Sequence, residues 1–191
     1  MTRTEMWKQH REKWKGCEAC TLCEHRKKVV LYRGKIPCDV LFVGEGPGAS
    51  EDVFGEPFVG PAGILLDKMI ETASLTDFRL GFTNLVGCLP KYDGVIKDPE
   101  QKEIKACSPR LVEMVKLASP KFIVFVGNLA KKFLPKSYPS FDYEHNSITI
   151  IHPGAVLRMD PSQKPLATQN NVVSLGSLAD KVAVAVTPPK Y

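Results

Sequence analysis

Residues 43–67 read Val43-Gly-Glu-Gly-Pro-Gly-Ala-Ser-Glu-Asp-Val-Phe-Gly-Glu-Pro-Phe-Val-Gly-Pro-Ala-Gly-Ile-Leu-Leu-Asp67. The apolar run Val40 to Val43 breaks into Gly44, Gly46, Pro47 and Gly48, and glycines there let the backbone approach a ligand closely. Glu45, Glu51 and Asp52 hang off this turn, and Phe58 follows them. Gly60 and Gly63 then open an amphipathic helix carrying Ile64, Leu65, Leu66 and Met69. A strand, a glycine-lined turn bearing carboxylates and an aromatic, and a helix start together describe a pocket for a small planar ligand. Six glycines and five acids in this window are too many for an ordinary connector.

Outward from this stretch, strand and helix patterns alternate. Strands are predicted over 38–44, 81–87, 121–127 and 147–152. The run Phe122-Ile-Val-Phe-Val126 is unbroken and apolar, as a parallel strand covered on both faces requires. Helices are predicted over 4–15, 60–75, 99–117, 128–134 and 169–183, with Pro99 in the first turn of its helix and Asn128 as a cap. Residues 89–98 read as a polar loop. The alternation predicts an α/β fold, a three-layer α/β/α sandwich on a central, mainly parallel four-stranded sheet. Residues 1–186 are expected to form a single domain and 187–191 a loose tail.

The chain has 191 residues, 43% hydrophobic and 25% charged, enough for one full core and short for two. Its net charge of +5 permits an anionic partner. No run approaches the ~18 apolar residues that a membrane span needs, and the start of the chain lacks the apolar core of a secretion signal. A cytoplasmic protein is therefore expected, where thiols stay reduced and six cysteines point to metal more than to disulfides. Cys17 and Cys20 form a close pair, Cys88 ends a strand, and Cys107 lies on the helix beyond it. Four such thiolates suit zinc or an iron–sulfur cluster, and spacing alone does not choose. Cys23 extends a ferredoxin-like run that lacks its further Cys-Pro, and Cys38 reads as a small buried residue. His152 sits at the carboxyl end of a strand, where open α/β sheets bind ligands, whereas His10, His25 and His145 fall in polar stretches expected to be exposed.

These residues resemble the family-four uracil-DNA glycosylases, iron–sulfur members of their superfamily. The first motif is carried by Gly44-Glu-Gly-Pro-Gly48, Glu51-Asp52, Gly55-x-Pro57-Phe58-Val59-Gly60-x-Ala62-Gly63 and Leu65-Leu66-Asp67. Cys17-x2-Cys20-x-Leu22-x3-Arg26 is similar to the N-terminal signature. Thr83-Asn84-Leu85-Val86-x-Cys88 with Cys107-x-Pro109-x-Leu111 resembles the central segment, and His152-Pro153-x-Ala155-x-Leu157-Arg158 the last motif.

The resemblance implies that a uracil flipped from DNA stacks on Phe58 and is read by the Asn84 amide, with Gly44 and Gly46 shaping the pocket wall. It implies that His152 donates to the anion developing on uracil, and that Glu45 or Glu51 orients water and steadies the sugar cation. It also implies a [4Fe–4S] cluster on Cys17, Cys20, Cys88 and Cys107, and a monomer acting on uracil-containing DNA. Leu157 and Arg158, with Val156, would wedge into the gap left by the base, and Lys164, Arg26, Lys27 and Lys28 would contact phosphate. Lys91 to Lys97 departs from the family's Pro- and Arg-rich loop, and Gly154 and Pro61 also depart from its pattern. A non-catalytic iron–sulfur protein of the same fold, binding nucleic acid or a protein partner, is the alternative reading.

Overall fold

A computed structural model describes residues 1–186, so the tail expected over 187–191 lies outside the described residues. In chain order the elements are α1 (Arg3–Trp14), β1 (Arg33–Gly34), β2 (Val40–Gly44), α2 (Ala49–Phe54), α3 (Pro61–Thr72) and β3 (Leu80–Asn84). They continue with β4 (Lys91–Tyr92), β5 (Val95–Ile96), α4 (Gln101–Ala118), β6 (Phe122–Val126) and α5 (Asn128–Ser137). The chain then forms α6 (Tyr143–Asn146), β7 (Ser147–Ile150), α7 (Pro153–Arg158) and α8 (Lys164–Val186). A 3-10 turn spans Thr21–Glu24 within the cysteine-bearing loop. Among the described residues no helix is long and apolar enough to cross a membrane.

The main sheet has the order β1-β3-β2-β6-β7. β2 runs parallel to β3 and β6, and β6 parallel to β7. Side chains alternate across it, as the two-residue period of a strand dictates. Leu41, Val43, Ile123 and Phe125 join a core with Leu111, Met114 and Leu134 of α4 and α5. Val40, Phe42, Val124 and Val126 join the opposite core with Leu66 and Met69 of α3 and Leu175 and Leu178 of α8. The three-layer α/β/α arrangement and the mainly parallel sheet match the expectation.

The sheet has five strands, not four. The fifth, β1, is two residues long and antiparallel on β3, too short to carry an alternation pattern. The polar loop expected over 89–98 contains the hairpin of β4 and β5 instead. Asp93 (φ 49°) and Gly94 (φ 82°) form its turn, and Asp-Gly is a strong signal for such a turn. Pro99 does not enter a helix: Glu100 is the N-cap of α4, and its N–H donates to the Glu103 carboxylate at 2.7 Å. Gly127, not Asn128, precedes the first turn of α5. His10 is only 6% exposed, contrary to expectation. It stacks on Trp7 at 5.8 Å where α1 lies on α4, and burial lowers its pKa to about 4.

α8 does more than cover the sheet. Its buried Asn171 accepts from the Ile151 N–H at 2.9 Å and donates to the Ile151 carbonyl at 2.8 Å, fixing the backbone just beyond β7. Asn171→Ala strips both partners from Ile151 and is expected to cost about 1–3 kcal/mol, since polar groups left unmade are expensive. The check is a lower urea midpoint with an unchanged denaturant slope.

Candidate active site

Parallel strands end on the same edge of a sheet, and ligands bind outside those carboxyl ends. Gly44 of β2 pairs in register with Asn84 of β3, and β7 delivers His152 to the same rim two residues beyond its last paired residue. Glu45, Asn84 and His152 therefore share one edge. They line a cavity of about 480 Å³ with Gly46, Phe58 and Arg158. An adjoining cavity of about 360 Å³ shares Glu45, Asp98, His152 and Arg158 and adds Asn128 and Thr149.

Gly44 stands behind the wall of this cavity. A Cβ there would lie 2.4 Å from Asn84 Oδ1 and 2.6 Å from Phe58 Cζ, so only glycine lets the amide and the ring converge. Phe58 adopts a left-handed backbone (φ 57°) that a non-glycine residue holds only under constraint. Glu51 supplies that constraint. Its carboxylate accepts from Gly48 N at 3.0 Å, within the cap of α2, and from Val59 N at 2.9 Å and Gly60 N at 2.7 Å, so it ties the start of α2 to the two residues just after Phe58. Asp52 plays a similar part next door, accepting from Lys27 N at 2.8 Å.

Burial is the main reason that the Glu45 carboxyl sits above its ordinary range. Asp98 adds to the rise, and the Leu129 N–H and Arg158 oppose it. Gly127 (φ 99°) accommodates this side chain, since a Cβ there would lie 2.5 Å from Glu45 Oε1. Burial likewise holds His152 below its ordinary value of 6.5, Arg158 pushes it further down, and Asp98 and Glu51 oppose both. His152 is also the N-cap of α7, and its Nδ1 accepts from Gly154 N at 3.0 Å. Nδ1 is then the unprotonated nitrogen, and the neutral ring carries its proton on Nε2.

The cysteines gather elsewhere. Burial raises the Cys20 thiol above its ordinary value, with Cys107 and Cys17 adding to the rise, and pushes Cys88 up to about 11, with Cys107 and Cys20 adding and Arg26 opposing. Cys107 Sγ accepts from Gly87 N at 3.4 Å and Arg110 Nε at 3.2 Å, and Cys88 Sγ faces Arg26 at 3.6 Å. Donors aimed at sulfur suit metal-bound thiolates. No three His, Cys, Asp or Glu side chains among the described residues are grouped to hold a single metal ion. Cys23 sits on the adjacent 3-10 turn. Cys38 is buried in the core beside Tyr32, where burial pushes its thiol up to about 12.

The family model for the uracil DNA glycosylase superfamily matches residues 32–174. The chain belongs to this superfamily. Its relatives include the type-4 uracil-DNA glycosylase of Saccharolobus solfataricus, 39% identical over 121 residues, which are 63% of this chain and 55% of that protein. That of Sulfurisphaera tokodaii is 40% identical over 120 residues, 62% of this chain and 53% of the relative. That of Thermotoga maritima is 35% identical over 132 residues, 69% and 67% respectively. The matched part of the chain thus spans about half to two thirds of these relatives' lengths.

Within this uracil DNA glycosylase superfamily member, the residues expected to grip DNA divide. Leu157 is 40% exposed and Arg158 is exposed on α7, whereas Val156 is 1% exposed and belongs to the core, so it cannot wedge into a duplex. Lys164 opens α8 and is half-buried. Asp98, Asn128 and Thr149 line the site without having been read as site residues in the sequence. Asn128 was expected only as a helix cap, although it follows the end of the strand expected over 121–127, and Asp98 stands just before Pro99 at the end of the loop.

The shared electrostatics of Glu45, His152 and Arg158 yield a signed expectation. Arg158 lowers the pKa of both neighbours, so Arg158→Ala should raise both. Following the His152 imidazole and the Glu45 carboxyl by NMR titration checks this, and a downward move of either contradicts the arrangement.

Proposed function

We propose that this chain excises uracil from DNA, hydrolysing the N-glycosidic bond and leaving an abasic site. The observation that carries this reading is the convergence of an aromatic face, a primary amide and a neutral imidazole, Phe58, Asn84 and His152, around one cavity. The names of the type-4 relatives support the same activity. The target nucleotide leaves the duplex to reach such a pocket. Its base stacks on Phe58 while the Asn84 amide pairs with O4 and N3–H, a pattern that cytosine cannot satisfy. Gly46, whose added Cβ would lie 3.0 Å from Val86 and 3.2 Å from Pro90, keeps the wall tight beside the base.

As the bond to the sugar breaks, negative charge grows on uracil and positive charge on the sugar. His152, neutral because it is buried and beside Arg158, donates from Nε2 to O2. A donor placed where charge develops is commonly the largest catalytic contribution. Glu45 orients the attacking water and, with Asp98, steadies the cationic sugar. Glu51 acts through the turn that it clamps, since three backbone N–H groups already occupy its carboxylate. Arg158, Leu157 and Lys164 hold the DNA, the two cations by phosphate contacts that salt weakens.

Cys17, Cys20, Cys88 and Cys107 hold a [4Fe–4S] cluster, which when bound fixes the N-terminal loop against β3 and α4. The helices on both faces of one sheet support reading 1–186 as a single domain. Action as a monomer in the cytoplasm belongs to the same reading.

A uracil-containing oligonucleotide, treated with protein and then with alkali to cut abasic sites, tests the activity, and uncut DNA favours a non-catalytic binding protein. His152→Ala should slow single-turnover excision about 10²–10³-fold, the range for loss of one anion-stabilising donor, with little loss of affinity for non-cleavable uridine DNA. Equal losses of rate and affinity would make His152 a binding residue. Protein purified without oxygen should absorb near roughly 400 nm through thiolate-bound iron. Alanine at any of the four cysteines should abolish that band, and Cys23→Ala and Cys38→Ala should keep it.

A further inference from the structure

Arg110 on α4 is among the largest fully buried side chains, 1% exposed, yet the uracil-excising machinery does not include it. Its guanidinium spans two structures. Nε donates to Cys107 Sγ at 3.2 Å, and Nη1 to Thr83 Oγ1 at 3.3 Å. Nη2 donates to the backbone carbonyls of Asn84 at 2.5 Å and Leu85 at 3.0 Å. Among the described residues no carboxylate forms an ion pair with it; the ion pairs found there involve other cations. A buried cation held only by neutral groups is expensive, so such charges are normally paired. Thr83 and the two carbonyls are neutral. The sulfur is the one partner in the fork able to carry negative charge.

We propose that Arg110 is a positioning residue that ties the base-reading end of β3 to the cysteine site, with an anionic metal–thiolate centre there as the counter-charge of its guanidinium. This inference rests on the cluster and glycosylase readings above. When Cys107 belongs to a metal–thiolate centre, the guanidinium gains its counter-charge and a charge-assisted N–H···S contact. The same fork then fixes the Asn84 carbonyl, and with it the register of the amide that faces the base. Thr83 extends the tie across the strand by donating to the Leu31 carbonyl at 2.8 Å. Filling the cysteine site therefore supports recognition of uracil without any contact between the metal centre and DNA.

The test compares anaerobically purified wild type, Arg110→Met and Arg110→Lys. Iron content, the midpoint potential of the bound cluster, and single-turnover uracil excision against DNA concentration are measured for each. Arg110→Met should keep its iron but move to a more negative potential, because a cation and a sulfur hydrogen bond that favour the added electron are gone. Its maximal excision rate should fall about 10- to 100-fold at unchanged half-saturating DNA, since a misplacement of about 1 Å costs up to about 10²-fold. Arg110→Lys keeps the charge and loses the fork, so its potential should stay near wild type while excision is slow. An iron-loaded Arg110→Met with wild-type potential and rate overturns the inference and leaves the cluster reading intact. A colourless, iron-free wild type overturns the cluster reading and this inference with it. If Arg110→Met does not fold, Arg110→Lys decides: slow excision at wild-type potential supports the tie, and a wild-type rate overturns it.

Discussion

The parallel register of β3, β2, β6 and β7 is the constraint on which the rest depends. Because the strands run the same way, each crossover must pass over a face of the sheet, and helices cover both faces. The free loops then collect at the carboxyl edge. Gly44 opposite Asn84 sets how far β2 and β3 reach before the chain turns away, and the cavity forms where they stop. Moving one strand by a residue would turn Asn84 toward the other face and take the amide out of the pocket.

Local strain is held in place by charge. Phe58 in a left-handed backbone costs about 1–3 kcal/mol. The Val59 and Gly60 N–H bonds to the Glu51 carboxylate contribute about 1.5–3 kcal/mol each, as hydrogen bonds to charged groups do, which is enough to offset that strain and hold Phe58 in its turn. The same economy holds at His152, where one side chain caps α7, sets its own tautomer and faces the cavity.

Legibility in the sequence followed the strength of each physical signal. The central strands were readable because burial on both faces demands continuous apolar runs, as in Phe122 to Val126. The rim residues Glu45 and His152 were readable because each closes a strand pattern, whereas Asn84 lay inside the strand expected over 81–87, which in the structure ends at Asn84. β1 was invisible at two residues, and the β4–β5 hairpin was missed although Asp93-Gly94 signalled it. His10 was misjudged because its neighbours in sequence are polar, whereas Trp7, His10 and Trp14 share the helix face laid on α4. The different surroundings of Glu45 and Glu51 depend on which backbone N–H groups converge, and adjacency in the chain does not reveal that. Arg110 and Asn171 act through backbone groups distant in sequence, and no periodicity marks them.

The β4–β5 hairpin belongs to its own two-stranded sheet, with Val95 and Ile96 exposed. It nonetheless delivers Lys97 and Asp98 to the rim of the cavity. Tyr92 anchors its base by donating to the buried Glu103 of α4, and Lys97 N closes it onto the Pro90 carbonyl at 3.1 Å. The tip between these anchors shares no ladder with the main sheet, so its length and composition can drift without disturbing the core. Evolution, or a protein engineer, thus has an exchangeable module at the mouth of the pocket that can change while Phe58, Asn84 and His152 stay fixed.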